Sequence, residues 1–192
     1  MATSAPHAAL DALMAMIGAC APESHAHARR VARYATAIAR TIELPDPLIE
    51  QIEQAALLHD LGKLAMPDPD LESDDPLGEL HASLRRRHIR IAFDIVSVVP
   101  QLRPAASIII AVHERWDGYG YPAGFHSSQI PIGARIVAVA DAYDTLTASS
   151  ARGEWRLSRD EANAEIVRSA GVYFDPDIVQ VWLRASDRLE CC

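Results

Sequence analysis

Cysteine is scarce in this sequence, and so is any excess of positive charge. Three cysteines stand among 192 residues: Cys20 near the start, and Cys191 and Cys192 side by side at the end. They make neither a disulfide framework nor a CxxC metal pair. Eighteen lysines and arginines against 26 aspartates and glutamates leave a formal net charge of −8. That balance argues against DNA or RNA as a partner, because nucleic-acid binders carry a basic face. A small phosphate ligand stays open, since a few cations inside a pocket suffice to hold one. Long apolar runs are missing too. "IVAVA" and "SIIIAV" fall far below the roughly 20 residues of a bilayer span. The N-terminus lacks the basic, apolar and cleavage-site succession of a secretory signal. The expectation is a cytoplasmic protein with no membrane contact. The chain shows no internal repeat, low-complexity tract or linker.

What remains reads as helix after helix. An apolar share of 49% is that of an ordinary globular domain, and the length supports a single core. "AALDALMAMIG" predicts a short apolar helix. "ESHAHARRVARYATAIARTI" places Val31, Ala35, Ile38 and Ile42 on one stripe. "DPLIEQIEQAALLHDLG" opens with Asp46 as N-cap and Pro47 at the first helical position, and its end is assigned to Gly62. Residues 66–78 read as a loop. Helices follow in "ELHASLRRRHIRIAFDIVSVV" and "PAASIIIAVH". In "PIGARIVAVADAYDTLTA" the β-branched residues also suit a strand, but Ile136, Val139 and Tyr143 keep the helical period for three turns. Ser158 and Glu161 make a capping box, and Asp175–Pro176 repeats the earlier helix start. The expected fold is all-α, about seven or eight helices. Residues 1–20 form an N-terminal helix and 21–192 the domain.

The costly residues sit at the ends and faces of these apolar helices. Glu23 and His27, four apart, share a helical face. His59 and Asp60 follow "AALL". His88 follows Arg85–Arg87, His113 follows "SIIIAV", and Asp141 interrupts "IVAVA", with Asp144 three residues on. Singly, each has an ordinary explanation: a helix cap, a solvated face, or a pairing of Asp141 with Arg135 or Arg115. His7, His81 and His126 have no supporting context. Taken together, four histidines and three carboxylates suit Fe, Mn, Zn or Ni better than Mg or Ca. One tetrahedral zinc needs four ligands, so seven candidates suggest two or more metals sharing an aspartate. Metals about 3.5–4 Å apart can lower the pKa of a bridging water and stabilise in-line displacement at phosphorus.

The succession His27, "HD" at 59–60, His88, "HERWDGYGYP" at 113–122 and Asp141 resembles the HD-GYP family. These are bacterial cyclic di-GMP phosphodiesterases within the HD-domain superfamily. The resemblance runs from about Glu23 to Pro176. It implies an HD-domain helical fold around a metal centre. It also implies that Glu23, His27, His59, Asp60, His88, His113 and Asp141 are ligands, with Asp60 bridging. Two divalent metals per chain follow, with one or three as alternatives; Fe or Mn is expected, Zn or Ni next. Asp60 and Lys63 are the implied catalytic residues. Lys63 and Tyr121 would meet the phosphate and guanine of cyclic di-GMP, which a metal-activated hydroxide would cleave to pGpG or GMP. Gly118, Gly120 and Gly124 would let the loop turn and approach a ligand.

Two positions depart from the family's pattern. The family usually writes two histidines before "ERWDG", and the first is Val112 here. Ser150 falls where a phosphate-binding arginine is expected, leaving Arg152, or Arg156, from a shifted loop as the substitute. The family's Lys-Pro-Gly segment is replaced by the acidic "LESDDPL". A second reading is therefore carried forward: a degenerate module that binds cyclic di-GMP or a signalling protein partner without turnover. A homodimer contact through the N-terminal helix is also open. A nucleotidase-like hydrolase would not need the "GYGYP" loop.

Overall fold

The computed structural model describes residues 5–66, 79–148 and 156–189. Its described residues form eight α-helices and no named strand. They are α1 (Ala5–Cys20), α2 (Pro22–Thr41), α3 (Asp46–Leu58), α4 (Glu79–Ser97), α5 (Arg103–Ile109), α6 (Ile132–Thr147), α7 (Arg159–Arg168) and α8 (Pro176–Leu189). None of them is long and apolar enough to cross a membrane.

Helix α2 is the hub, packing against α1, α3, α6 and α8. Its sequence explains this. Ala28, Val31, Ala32, Ala35, Ile38 and Ala39 are all buried, at the three- and four-residue spacing of one helical face. Four of the six are alanines, so neighbouring backbones can approach closely. Helix α3 answers with Ile49, Ile52, Ala55, Ala56 and Leu58. Met14 and Ile17 of α1 belong to the same core. Larger side chains fill the junction of α2, α6 and α8. The Trp182 ring lies 4.5 Å from Tyr143 and 5.6 Å from Tyr34, and its indole N–H donates to Asn163 Oδ1 at 2.9 Å. The start of α8 is tied to α6 by Arg135, which donates to Asp175 Oδ2 at 2.6 Å.

Several boundaries match the sequence pattern, and those of α3 do not. The ambiguous "PIGARIVAVADAYDTLTA" is helical from Ile132 to Thr147. The Ser158–Glu161 capping box is formed in both directions. Asp46 is not the N-cap but the first residue of α3, because the helix starts one residue earlier, with Pro45 at the cap and no side-chain cap. The end of α3 is a second correction. The α-helix stops at Leu58, four residues before Gly62, and the chain tightens into a 3₁₀ turn over Leu61–Ala65. Gly62 is there for close approach, not for a helix stop. A Cβ built on it would lie 1.8 Å from the backbone oxygen of His88, so only glycine lets α4 rest on this turn.

This contact brings His59, Asp60 and His88 to one place. Replacing Gly62 with alanine should push α4 off the turn. Overpacking of this kind costs about 3 kcal/mol, or a drop in melting temperature of roughly 6–12 °C for a domain of this size. Thermal unfolding followed by circular dichroism checks it, and a melting temperature within a degree or two of wild type would contradict the close contact.

Candidate metal centre

Six of the seven side chains expected as ligands converge from five parts of the fold. His27 comes from α2, His59 and Asp60 from the turn after α3, His88 from α4, His113 from the turn after α5, and Asp141 from α6. Donor atoms of His27, His59 and Asp60 lie within 4.8 Å of one another. Asp60 faces two ways. Its Oδ2 is 3.8 Å from His27 Nε2 and 3.6 Å from His59 Nε2, while its Oδ1 is 3.8 Å from His88 Nε2. Asp141 Oδ1 closes the other side, 3.2 Å from His27 Nε2 and 3.7 Å from His59 Nε2. The His113 ring stands 5.6 Å from His88 and stacks on Tyr121 at 5.3 Å.

Burial sets the charge states. His88 is buried, and loss of solvent pushes its pKa down to about 4 against the pull of Asp60. Burial lowers His113 in the same way. Both imidazoles are thus neutral near pH 7, the form that binds metal. For Asp60, burial favours the neutral acid, but the charges of His59 and Lys63 win and hold the carboxyl well below its usual range. Asp141 is also held low, burial being overcome by its interactions with His27 and His59. Burial likewise opposes charge on His27, yet Asp141 and Asp144 push it up to about 9. His59 is raised by Asp60 and Asp141 despite its burial.

The donor set fits a divalent cation. His59 Nδ1 donates to the Ala56 carbonyl at 2.8 Å, leaving Nε2 as the atom facing the carboxylates. That Nε2, together with both ring nitrogens of His88, is buried without a hydrogen-bond partner among the described residues. Buried polar atoms without partners are rare and costly. Here His59 Nε2 faces Asp60 and Asp141 and His88 Nε2 faces Asp60, the arrangement a mixed imidazole–carboxylate site requires.

The other expected residues fall differently. Glu23 is exposed in the first turn of α2 and makes no hydrogen bond or ion pair among the described residues. Lys63 Nζ sits 2.5 Å from Asp60 Oδ2, so it balances the cluster's negative charge. Arg152, Ser150 and the acidic stretch 71–77 lie outside the described residues. Arg135 and Arg115 are engaged elsewhere, with Asp175 and Asp117. Val112 is buried in the apolar core. It lines a cavity of about 230 Å³ together with His113, Asp141, Tyr121, Tyr173 and Phe174.

The "ERWDGYGYPAG" loop forms one wall of this cavity and is fastened at several points. Glu114 Oε1 accepts the Ala123 N–H at 2.7 Å, and Arg115 pairs with Asp117 and lies 3.8 Å over the Tyr173 ring. Trp116 and Asp117 donate backbone N–H bonds to the carbonyls of Tyr173 and Val172. Gly118 and Gly124 have positive φ, 86° and 71°. Gly120 is needed because a Cβ would meet Arg115 N at 2.2 Å, an approach to the loop's own backbone. Tyr121 reaches the cavity, whereas Tyr119 is 84% exposed.

Two further contributors had no assigned role: Asp144 was noted only for its place after Asp141, and Arg30 was passed over. Asp144 is 1% exposed, and its Oδ2 lies 2.7 Å from His27 Nδ1. Arg30 holds the same carboxylate through two donors, at 2.6 and 2.8 Å. The signal was the spacing: Asp144 is three residues after Asp141, and Arg30 three after His27, so each shares a helical face with a candidate ligand.

A family model described as HD domain matches residues 11–178. The chain is 34% identical over 166 residues to a cyclic di-GMP phosphodiesterase of Thermotoga maritima, covering 84% of this chain and 44% of the relative. It is 37% identical over 164 residues to the cyclic di-GMP phosphodiesterase response regulator RpfG of Xanthomonas campestris pv. campestris, covering 84% and 43%. It superposes on a cyclic GMP-AMP specific phosphodiesterase of Vibrio cholerae with a TM-score of 0.69 at 23% identity, over 93% of this chain and 47% of that one. That last likeness is one of fold. The chain spans less than half the length of each of these three proteins. With the match running over most of its residues and an all-α fold gathering the His-Asp pair at its centre, the chain belongs to the HD domain family.

Proposed function

We propose that the chain is a metal-dependent phosphodiesterase that hydrolyses cyclic di-GMP to pGpG or GMP. The observation that carries this reading is the meeting of His27, His59 and Asp60, with donor atoms within 4.8 Å of one another, beside a cavity walled by Tyr121. The two curated relatives named above are cyclic di-GMP phosphodiesterases, which supports the substrate class.

His27, His59, Asp60, His88, His113 and Asp141 would hold two divalent cations, Fe or Mn first and Zn or Ni next. Such cations supply Lewis acidity, which lowers the pKa of water and neutralises charge on phosphoryl oxygens. The protein's own groups prepare the site. Asp60 is kept ionised and offers one oxygen to each side of the cluster. His88 and His113 are kept neutral by burial. Lys63 holds positive charge where an anionic phosphodiester would approach. Tyr121, stacked on His113, offers a ring wall to a purine, and aromatic stacking on a base is worth about 1–3 kcal/mol. Glu23 lies one turn from His27 on the same helical face, so a third cation at the cluster's edge would call on it.

One observation favours the second reading, a module that binds the dinucleotide without turnover. Val112 is 3% exposed and lines the cavity beside His113, so an aliphatic wall stands where an imidazole would add a ligand.

Reconstitution of the purified chain with Fe²⁺ or Mn²⁺ under anaerobic conditions separates these readings. Metal per chain and products from cyclic di-GMP are measured together. Turnover by the metal-loaded protein is expected, with the second cation held more weakly than the first; full occupancy and tight nucleotide binding with no product would establish the non-catalytic module. Asp60→Ala should lose both cations and drop turnover to background, and retained activity would rule out its bridging role. Val112→His should raise bound metal and increase turnover. Equal metal content of two or more per chain in both proteins would show that Val112 is not limiting.

A further inference from the structure

Among the described residues, His27 is the one imidazole of the cluster with a carboxylate at each ring nitrogen. Asp141 Oδ1 faces Nε2 at 3.2 Å and Asp144 Oδ2 faces Nδ1 at 2.7 Å. The two aspartates come from successive turns of α6, and the two contacts differ in kind. Asp141 is 22% exposed and shares the cluster with His59, whereas Asp144 is 1% exposed and does not face the other imidazoles. Its remaining partner is Arg30, whose Nε reaches Oδ1 at 2.6 Å and whose Nη2 reaches Oδ2 at 2.8 Å. Arg30 itself is 37% exposed. The carboxylate is therefore locked by a two-pronged guanidinium from α2, the helix that also carries His27.

We propose that Asp144, gripped by Arg30, is the positioning residue for His27: it accepts the Nδ1–H hydrogen bond and turns the Nε2 lone pair towards the cation site. The inference rests on the reading of His27 as a metal ligand. An ionised carboxylate has no proton to give, so the nitrogen facing it must be the donor. With a cation in place of the proton on Nε2, the ring would keep its other proton on Nδ1, and Nε2 is the nitrogen on the side of Asp60 and Asp141. A hydrogen bond from the second ring nitrogen fixes both tautomer and ring plane, and it raises the basicity of the ligating atom. Arg30 matters because its fork fits a carboxylate at two points. Without it, a buried aspartate beside a cation site would be free to rotate towards the cation.

The test uses Zn²⁺ as the probe and binding, not turnover, as the readout. The protein, stripped of metal with a chelator, is titrated with Zn²⁺ against a chromophoric chelator. The Zn-loaded form is examined by proton–nitrogen NMR for the Nδ1 proton of His27. Wild type should show a slowly exchanging, strongly downfield Nδ1 proton. Asp144→Asn fills the same space but leaves three donors contesting one oxygen. It should weaken Zn²⁺ binding about 10–100-fold and speed exchange of that proton. Arg30→Lys keeps the charge at a partly exposed site, where folding is not at risk. It should weaken binding several-fold in the same direction. If Asp144 served packing alone, Asp144→Asn would bind Zn²⁺ as wild type does and keep the proton signal; either result overturns the proposal. Wild-type protein that binds no Zn²⁺ overturns the metal reading, and this inference with it. Wild-type protein that binds Zn²⁺ while both variants match it overturns the positioning role alone.

Discussion

Asp60 is a carboxylate kept ionised where water is largely excluded, and the fold is organised around that constraint. Burying an unpaired charge costs several kcal/mol even after the surroundings relax. Asp60 is held low in pKa by His59 and Lys63, and three imidazoles from three different elements stand 3.6–3.8 Å from its oxygens. None of those distances is a hydrogen bond. The close partner is Lys63 at 2.5 Å, on one oxygen only. The histidine nitrogens around it are thus arranged at the separation of ligands about a common centre, and the unpartnered His88 and His59 atoms are donors that such a centre would use.

Gathering these donors depends on packing elsewhere. The alanine-rich face of α2 lets α3 and α6 approach closely, which brings His27 to the turn bearing His59 and Asp60. Gly62 does the same between that turn and α4. Close approach at these two places is what converts five separate elements into one cluster. The aromatic group of Tyr34, Tyr143 and Trp182 then closes the far side of α2 and α6, so the helices bearing His27, Asp141 and Asp144 are held by apolar contact at a distance from the charges. Stability and chemistry are thereby separated along the same pair of helices.

Most of this was legible in the sequence where periodicity and spacing carry the signal. The amphipathic stripe of α2, the Ser158–Glu161 box and the interruption of an apolar helix by Asp141 each have a local physical cause. The end of α3 was not legible, because a glycine after a helix reads as a stop by local rules, whereas Gly62 answers to His88, 26 residues further along. Arg30 was hidden for a related reason. On the sequence it is one of several arginines on a solvent-leaning helix, and only the packing of α2 on α6 sets it against Asp144. Glu23 shows the reverse: helical spacing places it on the face of His27, but the first turn of α2 runs out into solvent.

Val112 and the loop after it bring these threads together. The cavity beside the cluster has Val112, Tyr121, Tyr173 and Phe174 among its walls, mostly apolar surface, with His113 and Asp141 at one end. A purine needs an apolar slot, and a phosphodiester needs cationic charge at its edge; the cavity and the cluster together present that pair. An imidazole at 112 would trade apolar wall for a ligand. On the proposed reading the valine would shift the balance of the site from holding cations towards holding a base, while the loop that carries Tyr121 is anchored by Glu114, Arg115 and the backbone of Val172 and Tyr173. On the proposed reading, recognition and metal binding would fall on adjacent residues, 112 and 113, just after α5, so a single substitution there would act on both.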